Sequence, residues 1–102
     1  MNHKTLQSLH HVAISVADID RAVAWYTSRF ACELIYRDET WALLKFANIH
    51  LALVIPEQHP PHIALMDRQA SDYGPLTLHR DGTRSIYIQD SEGNQVEIMQ
   101  EQ

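Results

Sequence analysis

The chain has 102 residues, 45% of them hydrophobic, with 13 acidic and 8 basic side chains and a formal net charge of -5. This length predicts one domain, residues 1–102, with a modest core. Because the basic residues form no cluster, nucleic acid and anionic membranes are not expected as partners. No apolar run approaches the roughly 20 residues that cross a bilayer, residues 1–5 lack the apolar core of a signal peptide, and the single Cys32 cannot form an internal disulfide. We therefore expect a cytoplasmic protein.

The first half of the chain predicts a strand, a helix and three further strands. Residues 9–16 alternate in the manner of a strand, and Asp18 then offers an N-cap for a helix whose apolar residues share one stripe through residue 30. The three further strands are predicted over residues 33–36, 41–47 and 49–55. Together these elements form a first module, residues 9–55.

A proline-rich linker, residues 56–61, separates this module from a second one, residues 62–100. The second module repeats the order of elements, but its helical segment near residues 67–73 is too short for more than one or two turns. Asp81-Gly82 is typical of a hairpin turn. The strands of this half are predicted over residues 62–66, 76–80, 85–89 and 95–99.

Three of the predicted strands carry side chains that bind metals. His11 and His62 open the first strand of each module in the same frame, and Glu97 lies in the last strand. Because strand side chains alternate, each shares a face with small or polar neighbours, while the opposite faces are aliphatic. Two imidazoles and a carboxylate can hold a divalent ion and leave coordination positions open. The alternative is two histidines at strand starts and a solvent-facing carboxylate on an edge strand.

Residues 9–26 and residues 85–98 are the two stretches that resemble a known family, the vicinal oxygen chelate superfamily. It includes glyoxalase I, fosfomycin-resistance transferases, extradiol dioxygenases and bleomycin-binding proteins. Residues 9–26 resemble its opening strand, aspartate cap and helix with an aromatic-tyrosine pair, and residues 85–98 resemble its tyrosine strand, aspartate-glycine turn and terminal glutamate strand. The resemblance implies an α+β fold of two βαββ-type modules, here βαβββ with the second helix shortened, whose strands form a curled mixed sheet around a cavity. It also implies a divalent metal ion (Fe, Mn, Ni or Zn) bound by His11, His62 and Glu97.

The chain departs from the family pattern at several positions. Ala52 stands where some members carry a fourth carboxylate ligand, so this chain resembles the three-ligand type. Phe30-Ala31 replaces a leucine-glycine pair, so a positive φ there would be strained unless the turn has changed. Ser91 replaces a common proline, which affects turn rigidity. The short second helix leaves part of the sheet less covered, and we expect a second copy of the chain, in a homodimer, to cover it.

Glu97, His50 and Tyr87 are the candidate catalytic residues. His50 shares a strand face with Ala52 and is either a proton shuttle or a strand-end histidine. Tyr87 either binds a substrate oxygen through its hydroxyl or packs as an aromatic side chain. His10 is predicted on the helix side of the sheet. Three aromatic residues are predicted in the core or at a dimer contact rather than in a substrate cage: Trp25, Tyr26 and Trp41. Three histidines are predicted to have no specific role: His3, His59 and His79.

The leading functional hypothesis is a small metal-dependent enzyme of the vicinal oxygen chelate type. The ion would hold two adjacent oxygens of a small-molecule substrate and stabilise a developing oxyanion or enediolate as a Lewis acid. The ligand set leaves the reaction open among lyase, isomerase, transferase and dioxygenase. The alternative is a protein of the bleomycin-resistance type that binds a planar ligand in a dimer cleft without chemistry. A third possibility is a regulatory or structural domain that keeps only the fold.

Overall fold

The computed structural model describes residues 6–101, and His3 lies outside this range. Within it the chain forms eight strands, one α-helix and one short 3₁₀-helix. The elements are, in chain order, β1 (Leu9–Ser15), α1 (Ile19–Arg29), β2 (Glu33–Arg37), β3 (Trp41–Lys45), β4 (His50–Val54), β5 (His62–Asp67), the 3₁₀-helix (Ala70–Tyr73), β6 (Thr77–Leu78), β7 (Arg84–Gln89) and β8 (Gln95–Gln100).

All eight strands join one mixed sheet in the order β2-β3-β4-β1-β5-β8-β7-β6. In each half the last strand runs parallel to the first, β4 beside β1 and β8 beside β5. The first strands of the two halves, β1 and β5, pair antiparallel in the middle of the sheet. The two halves thus have the same internal order, and the sheet curls into a half-barrel. This architecture confirms the predicted α+β fold with a curled mixed sheet.

Helix α1 covers the outer face of the first half of the sheet. The Asp18 carboxylate accepts a hydrogen bond from the Arg21 backbone amide at 2.9 Å, the N-cap that the sequence predicts. Ile19 and Val23 on the buried side of the helix pack against a core cluster that includes Leu44 and Leu53. The helical stripe and the aliphatic strand face therefore form one core, as their periodicities predict.

The helix ends without backbone strain. Phe30 has an extended conformation, with φ of −128°, and its amide donates to the Tyr26 carbonyl. Within residues 6–101 no residue other than glycine has a positive φ. The sequence left two possibilities for Phe30-Ala31, a strained positive φ or a changed turn. The structure shows the changed turn.

The second half of the sheet is covered much less than the first. Its helical segment is a single 3₁₀ turn, Ala70–Tyr73, which ends at Gly74. Ala70 packs on Val96 and Ile98, but Ile63 is left 40% exposed. The helices within residues 6–101 are all too short or too polar to cross a membrane.

A β-bulge changes the frame of β1. The pairing of β1 with β5 shifts between Leu9 and His11, so His10 does not follow the simple alternation of the strand. The predicted position of His10 on the helix side is wrong, because the side chain lines the cavity on the other face of the sheet. Strand β6 is also shorter than predicted, because the chain turns at residues 79–83, where the His79 amide donates to the Thr83 carbonyl.

Candidate metal centre

His11, His62 and Glu97 meet at one point inside the curled sheet. The distance between His11 Nε2 and His62 Nε2 is 3.0 Å. Glu97 Oε1 lies 3.2 Å from His11 Nε2 and 3.1 Å from His62 Nε2. All three residues are buried, with exposed fractions of 7%, 9% and 5%. The carboxylate is therefore not on a solvent-facing edge, because β8 lies between β5 and β7.

The strand register explains how side chains so distant in sequence come together. His11 of β1 pairs with Ala64 of β5, and Ala64 pairs in turn with Glu97 of β8. Ala64 is fully buried and presents only a methyl group, which leaves room for the larger side chains on either side to meet above it. His62 lies two residues before Ala64 on the same face of β5, so its imidazole completes the group.

The three ligand atoms fit a divalent ion. They form a nearly equilateral triangle with sides of 3.0, 3.1 and 3.2 Å. Two ligands at about 2.1 Å from a metal and at right angles to each other lie about 3.0 Å apart, so the triangle matches one face of an octahedron. Such a facial arrangement leaves the opposite positions open for substrate oxygens and water.

The second nitrogen of each imidazole also suits metal binding. His62 Nδ1 lies 2.7 Å from the Pro60 carbonyl, which can only accept, so Nδ1 carries the proton and Nε2 of the neutral ring has a lone pair. That lone pair faces the Glu97 carboxylate at 3.1 Å. Two acceptors at this distance require a proton or a metal cation between them. A ligand histidine that donates its other N–H to a carbonyl is the usual arrangement at protein metal sites.

His10 contacts the other ring nitrogen of His11. The two Nδ1 atoms are 2.7 Å apart, so one donates to the other. Burial, followed by the neighbouring His11 and His50, lowers the pKa of His10 to about 4, and its ring is therefore neutral at neutral pH. When His11 Nδ1 donates to His10, the lone pair of His11 Nε2 is free to bind a metal.

Ser85 fixes the orientation of the Glu97 carboxylate. Its hydroxyl donates to Oε2 at 2.6 Å, and the serine is only 1% exposed. Burial alone would raise the pKa of Glu97, but its contacts with His11, His62 and Ser85 outweigh burial and hold that pKa far below the usual range. Glu97 is therefore ionised. Its Oε2 accepts the hydrogen bond from Ser85, and its Oε1 faces the two imidazoles.

A cavity of about 400 Å³ lies over the metal-ligand group. Part of the cavity surface is apolar. Trp41, predicted in the core or at a dimer contact, lies on this surface. We call this surface the apolar wall, formed by Trp41, Leu43, Ala52 and Val54 of β3 and β4, which pack in one cluster. Leu78 of β6 and Met99 of β8 add apolar lining from the other half of the sheet. The volume of the cavity suits a small organic ligand rather than a single ion.

The structure brings one of the two other candidate catalytic residues to the metal-ligand group. The Tyr87 hydroxyl lies 3.4 Å from His62 Nε2, with the two rings in a T-shaped contact at 5.1 Å. Burial, followed by the nearby Glu97 charge, raises the pKa of Tyr87, which keeps the phenol protonated as a donor. His50 instead stacks on His10, and its Nδ1 lies 3.3 Å from the His10 carbonyl, outside the cavity lining.

Two cavity histidines were missed by the sequence predictions. His79 lies 2.6 Å from the Ser85 hydroxyl, and because that hydroxyl donates to Glu97, His79 Nε2 is the donor. His59 lines the cavity from the linker and contacts the Thr40 hydroxyl. The Asp81-Gly82 turn was a usable signal for His79, since a hairpin there brings residue 79 next to residues 83–85. No comparable sequence signal exists for His59.

Asp38, in the turn between β2 and β3, is a local centre of hydrogen bonds. It accepts from the Tyr36 hydroxyl at 2.6 Å and from the amides of Thr40 and Trp41 at 2.8 and 3.0 Å. Burial alone would raise the pKa of Asp38, but these hydrogen bonds lower it to about 2. Arg80 also contacts the carboxylate, at 3.3 Å, and joins this turn to the turn between β6 and β7.

We predict that Asp38 makes folding stability depend on acid pH. The pKa of Asp38 in the folded protein lies below the value of about 3.9 expected in the unfolded chain. The ionised carboxylate therefore stabilises the fold fully above about pH 4, and this stabilisation is lost as the pH falls towards 2. Urea unfolding of wild type and Asp38→Asn at about pH 6 and about pH 3 measures this effect. At pH 6 the wild type should have a larger free energy of unfolding than Asp38→Asn, and this difference should be smaller at pH 3. An equal difference at both pH values would contradict the prediction.

No protein-family model matches the sequence, and no curated protein matches it significantly. Solved structures do match over nearly the whole chain. The hypothetical protein BH1468 from Bacillus halodurans C-125 aligns with a TM-score of 0.74 at 13% identity, covering 96% of each chain. A methylmalonyl-CoA epimerase from Mycobacterium tuberculosis aligns with a TM-score of 0.70 at 20% identity, covering 98% of this chain and 94% of that one. A lactoylglutathione lyase from Agrobacterium tumefaciens gives a TM-score of 0.50 at 19% identity, covering 95% and 96%.

At such low identities these similarities concern the fold. Lactoylglutathione lyase, which is glyoxalase I, and methylmalonyl-CoA epimerase are both vicinal oxygen chelate proteins. The strand order and the curl of the sheet also agree with the architecture that the sequence predicts. The chain has the fold of the vicinal oxygen chelate superfamily, as the resemblance of residues 9–26 and 85–98 predicts.

Proposed function

We propose that the protein is a metal-dependent enzyme that binds a small substrate through two adjacent oxygen atoms. The supporting observation is the buried triangle of His11 Nε2, His62 Nε2 and Glu97 Oε1, with sides of 3.0 to 3.2 Å, at the cavity surface. These three residues would hold the divalent ion, whose identity among Fe, Mn, Ni and Zn the ligand set leaves open. When bound, the ion would act as a Lewis acid for negative charge that develops on the substrate oxygens.

The surrounding residues have separate roles in this proposal. Tyr87, protonated and 3.4 Å from His62 Nε2, donates a hydrogen bond to a substrate oxygen. Glu97 acts as a ligand and supplies the negative charge of the site. The predicted role of His50 as a proton shuttle stays a prediction, since its contact to the group runs through His10. Two of the similar structures are an epimerase and a lyase, so we favour an isomerase or lyase over a dioxygenase.

A spectroscopic titration tests the proposed chelation. The Co²⁺-loaded protein is titrated with acetohydroxamate, which offers two adjacent oxygens, and with acetamide, which offers one and serves as the matched control. We expect acetohydroxamate to change the cobalt absorption spectrum and to bind at least about ten-fold more tightly than acetamide, because only the first can occupy two open positions. Equal binding of the two compounds would contradict the proposal.

A second candidate function is the binding of a ligand without chemistry, as in the bleomycin-resistance type. The apolar wall favours it, because that surface can hold an apolar ligand whether or not an ion is present. The two functions differ in their dependence on metal. Organic ligands that bind the metal-free and the metal-loaded protein equally well would favour the binding function.

We also propose that the protein is a homodimer, and its cytoplasmic location stays a prediction. The partly uncovered second half of the sheet supports the dimer, since Ile63 is 40% exposed and Leu9, on the neighbouring strand, is 44% exposed. Exposed apolar strand surface is stabilised when another chain covers it. Sedimentation at micromolar concentration tests this proposal, with Ile63→Glu as the variant expected to dissociate. A wild-type monomer would contradict it.

A further inference from the structure

We infer that His59 is the residue that removes and returns a substrate proton in this cavity, held in the required tautomer by Thr40 and Asp38. The inference rests on the proposed function, since it needs a substrate bound at the metal-ligand group. It depends on three features of the structure: a directional chain of hydrogen bonds, the position of His59 at the cavity, and a neutral imidazole.

The direction of the hydrogen bonds follows from counting donors. The Thr40 hydroxyl lies 3.0 Å from Asp38 Oδ1 and 3.1 Å from His59 Nε2. Asp38 is ionised and can only accept, so the hydroxyl proton points to the carboxylate and the hydroxyl oxygen accepts from His59 Nε2–H. The reverse direction would place two acceptors, the hydroxyl oxygen and the carboxylate, in contact without a proton. His59 Nδ1 is therefore the nitrogen with the lone pair.

A purely structural role explains less of this arrangement. Asp38 already receives hydrogen bonds from Tyr36, from the Thr40 and Trp41 amides and from the Thr40 hydroxyl, so it does not need His59. The Thr40 hydroxyl has its acceptor in Asp38. On the side of Asp38 and Thr40, the contact from His59 therefore satisfies no group that lacks a partner. The contact with Thr40 instead holds the imidazole proton of His59 on Nε2.

His59 also lies on the same cavity and the same short segment as a proposed metal ligand. It lines the same cavity as His62 and is separated from it in sequence by Pro60 and Pro61. Two consecutive prolines restrict the backbone between the two histidines. The Pro60 carbonyl accepts from His62 Nδ1 at 2.7 Å, which ties this linker to the metal ligand. The proton-transfer residue and the metal ligand thus lie on one stiff segment.

The protonation state suits a base. Burial lowers the pKa of His59, the Asp38 charge raises it, and the nearby His62, Arg80 and His79 lower it, with a net shift below the usual 6.5. These four give the largest charge contributions at His59. The ring is therefore neutral at neutral pH, with an unprotonated Nδ1.

The proton transfer takes place at a carbon next to a substrate carbonyl. The C–H bond breaks, the proton bonds to His59 Nδ1, and the electron pair passes into the carbonyl to give an enolate. Return of the proton to the same face of that carbon restores the centre. In a substrate with a hydroxyl on that carbon, return of the proton to the former carbonyl carbon, with transfer of the hydroxyl proton to the former carbonyl oxygen, moves the carbonyl. No oxidant or reductant is consumed. Positioned bases of this kind contribute roughly 100- to 10,000-fold to such steps.

Solvent exchange measures this step directly. Hydroxyacetone, which carries two adjacent oxygens, is incubated in D₂O with metal-loaded wild type, His59→Gln, Thr40→Val and Thr40→Ser, and loss of its proton signals is followed by NMR. We expect His59→Gln to slow exchange at least about 100-fold. We expect Thr40→Val to slow it roughly ten-fold and Thr40→Ser, which keeps the hydroxyl, to change it less than about two-fold. Divalent metal affinity, measured by calorimetry, should be unchanged in all three variants.

Further readouts separate a chemical role from a structural one. The wild-type exchange rate should rise with pH through a pKa below 6.5 and then level off, and this rise should be absent in His59→Gln. Nitrogen-15 NMR of the metal-free protein should show the Nε2–H tautomer of His59 at neutral pH. Metal-dependent exchange that survives His59→Gln, or an Nδ1–H tautomer, would overturn the role of His59 alone. Wild-type exchange that is no faster with metal than without it would overturn the proposed function as well.

Discussion

Replacing Glu97 with glutamine is expected to weaken divalent metal binding by at least about 100-fold. The amide keeps the volume of the side chain but removes the negative charge that faces His11 and His62 at 3.2 and 3.1 Å. Mutation of a residue that only hydrogen-bonds to a metal ligand weakens metal binding by roughly 10- to 100-fold. Loss of a charged ligand itself should weaken it more. Calorimetric titration of metal-free protein with Zn²⁺ or Co²⁺ measures the change.

Glu92→Gln is the matched control for this variant. Glu92 lies exposed in the turn between β7 and β8, where its carboxylate accepts from Ser91 at 2.9 Å. The same chemical change there should leave metal affinity unaltered. Affinities of Glu97→Gln and Glu92→Gln that agree within about two-fold would show that the buried carboxylate does not bind the ion.

Ser85→Ala is expected to weaken metal binding roughly 10- to 100-fold although the serine is not a ligand. Its hydroxyl donates to Glu97 Oε2 at 2.6 Å and accepts from His79 Nε2 at 2.6 Å. Without the hydroxyl the carboxylate is free to turn, and His79 loses its acceptor. Since Ser85 is only 1% exposed, the unfolding free energy should also fall, by about 1–3 kcal/mol.

Ser91→Ala is the control for Ser85→Ala. Ser91 also donates to a carboxylate, at 2.9 Å from Glu92, but in an exposed turn. Calorimetry and urea unfolding of both variants separate the buried contact from the general effect of losing a hydroxyl. If Ser85→Ala bound metal and unfolded like Ser91→Ala, the orienting role of Ser85 would be wrong.

The sequence was sufficient to predict the fold and the three side chains that the structure brings together. The alternation of β1 and β5 and the repeated module place His11 and His62 in the same frame, and the last strand places Glu97 on the same face. Ala52, which stands where some family members carry a fourth carboxylate, has the same register position in the first half as Glu97 in the second. Ala52 pairs with Ala13 of β1, and Glu97 pairs with Ala64 of β5. Local periodicity carries this information, because β1 from His11 onward pairs with β5, and β5 pairs with β8, without a register shift.

The supporting histidines could not be predicted in the same way. His10 lines the cavity because of a bulge in β1, and one inserted residue leaves no hydrophobic pattern that reveals it. His59 reaches the cavity from an irregular linker, where neither helical nor strand periodicity applies. His79 depends on the tight turn that ends β6 early. A bulge, a linker and a turn set these three positions, rather than the alternation of a regular strand.

The most direct test of the metal site is an anomalous diffraction map of wild-type crystals grown with Co²⁺ or Zn²⁺. The proposal predicts one ordered peak about 2.1 Å from His11 Nε2, His62 Nε2 and Glu97 Oε1, which is absent in crystals of Glu97→Gln grown in the same way. An ion bound elsewhere, or no peak between these three atoms in the wild type, would contradict the metal-dependent function.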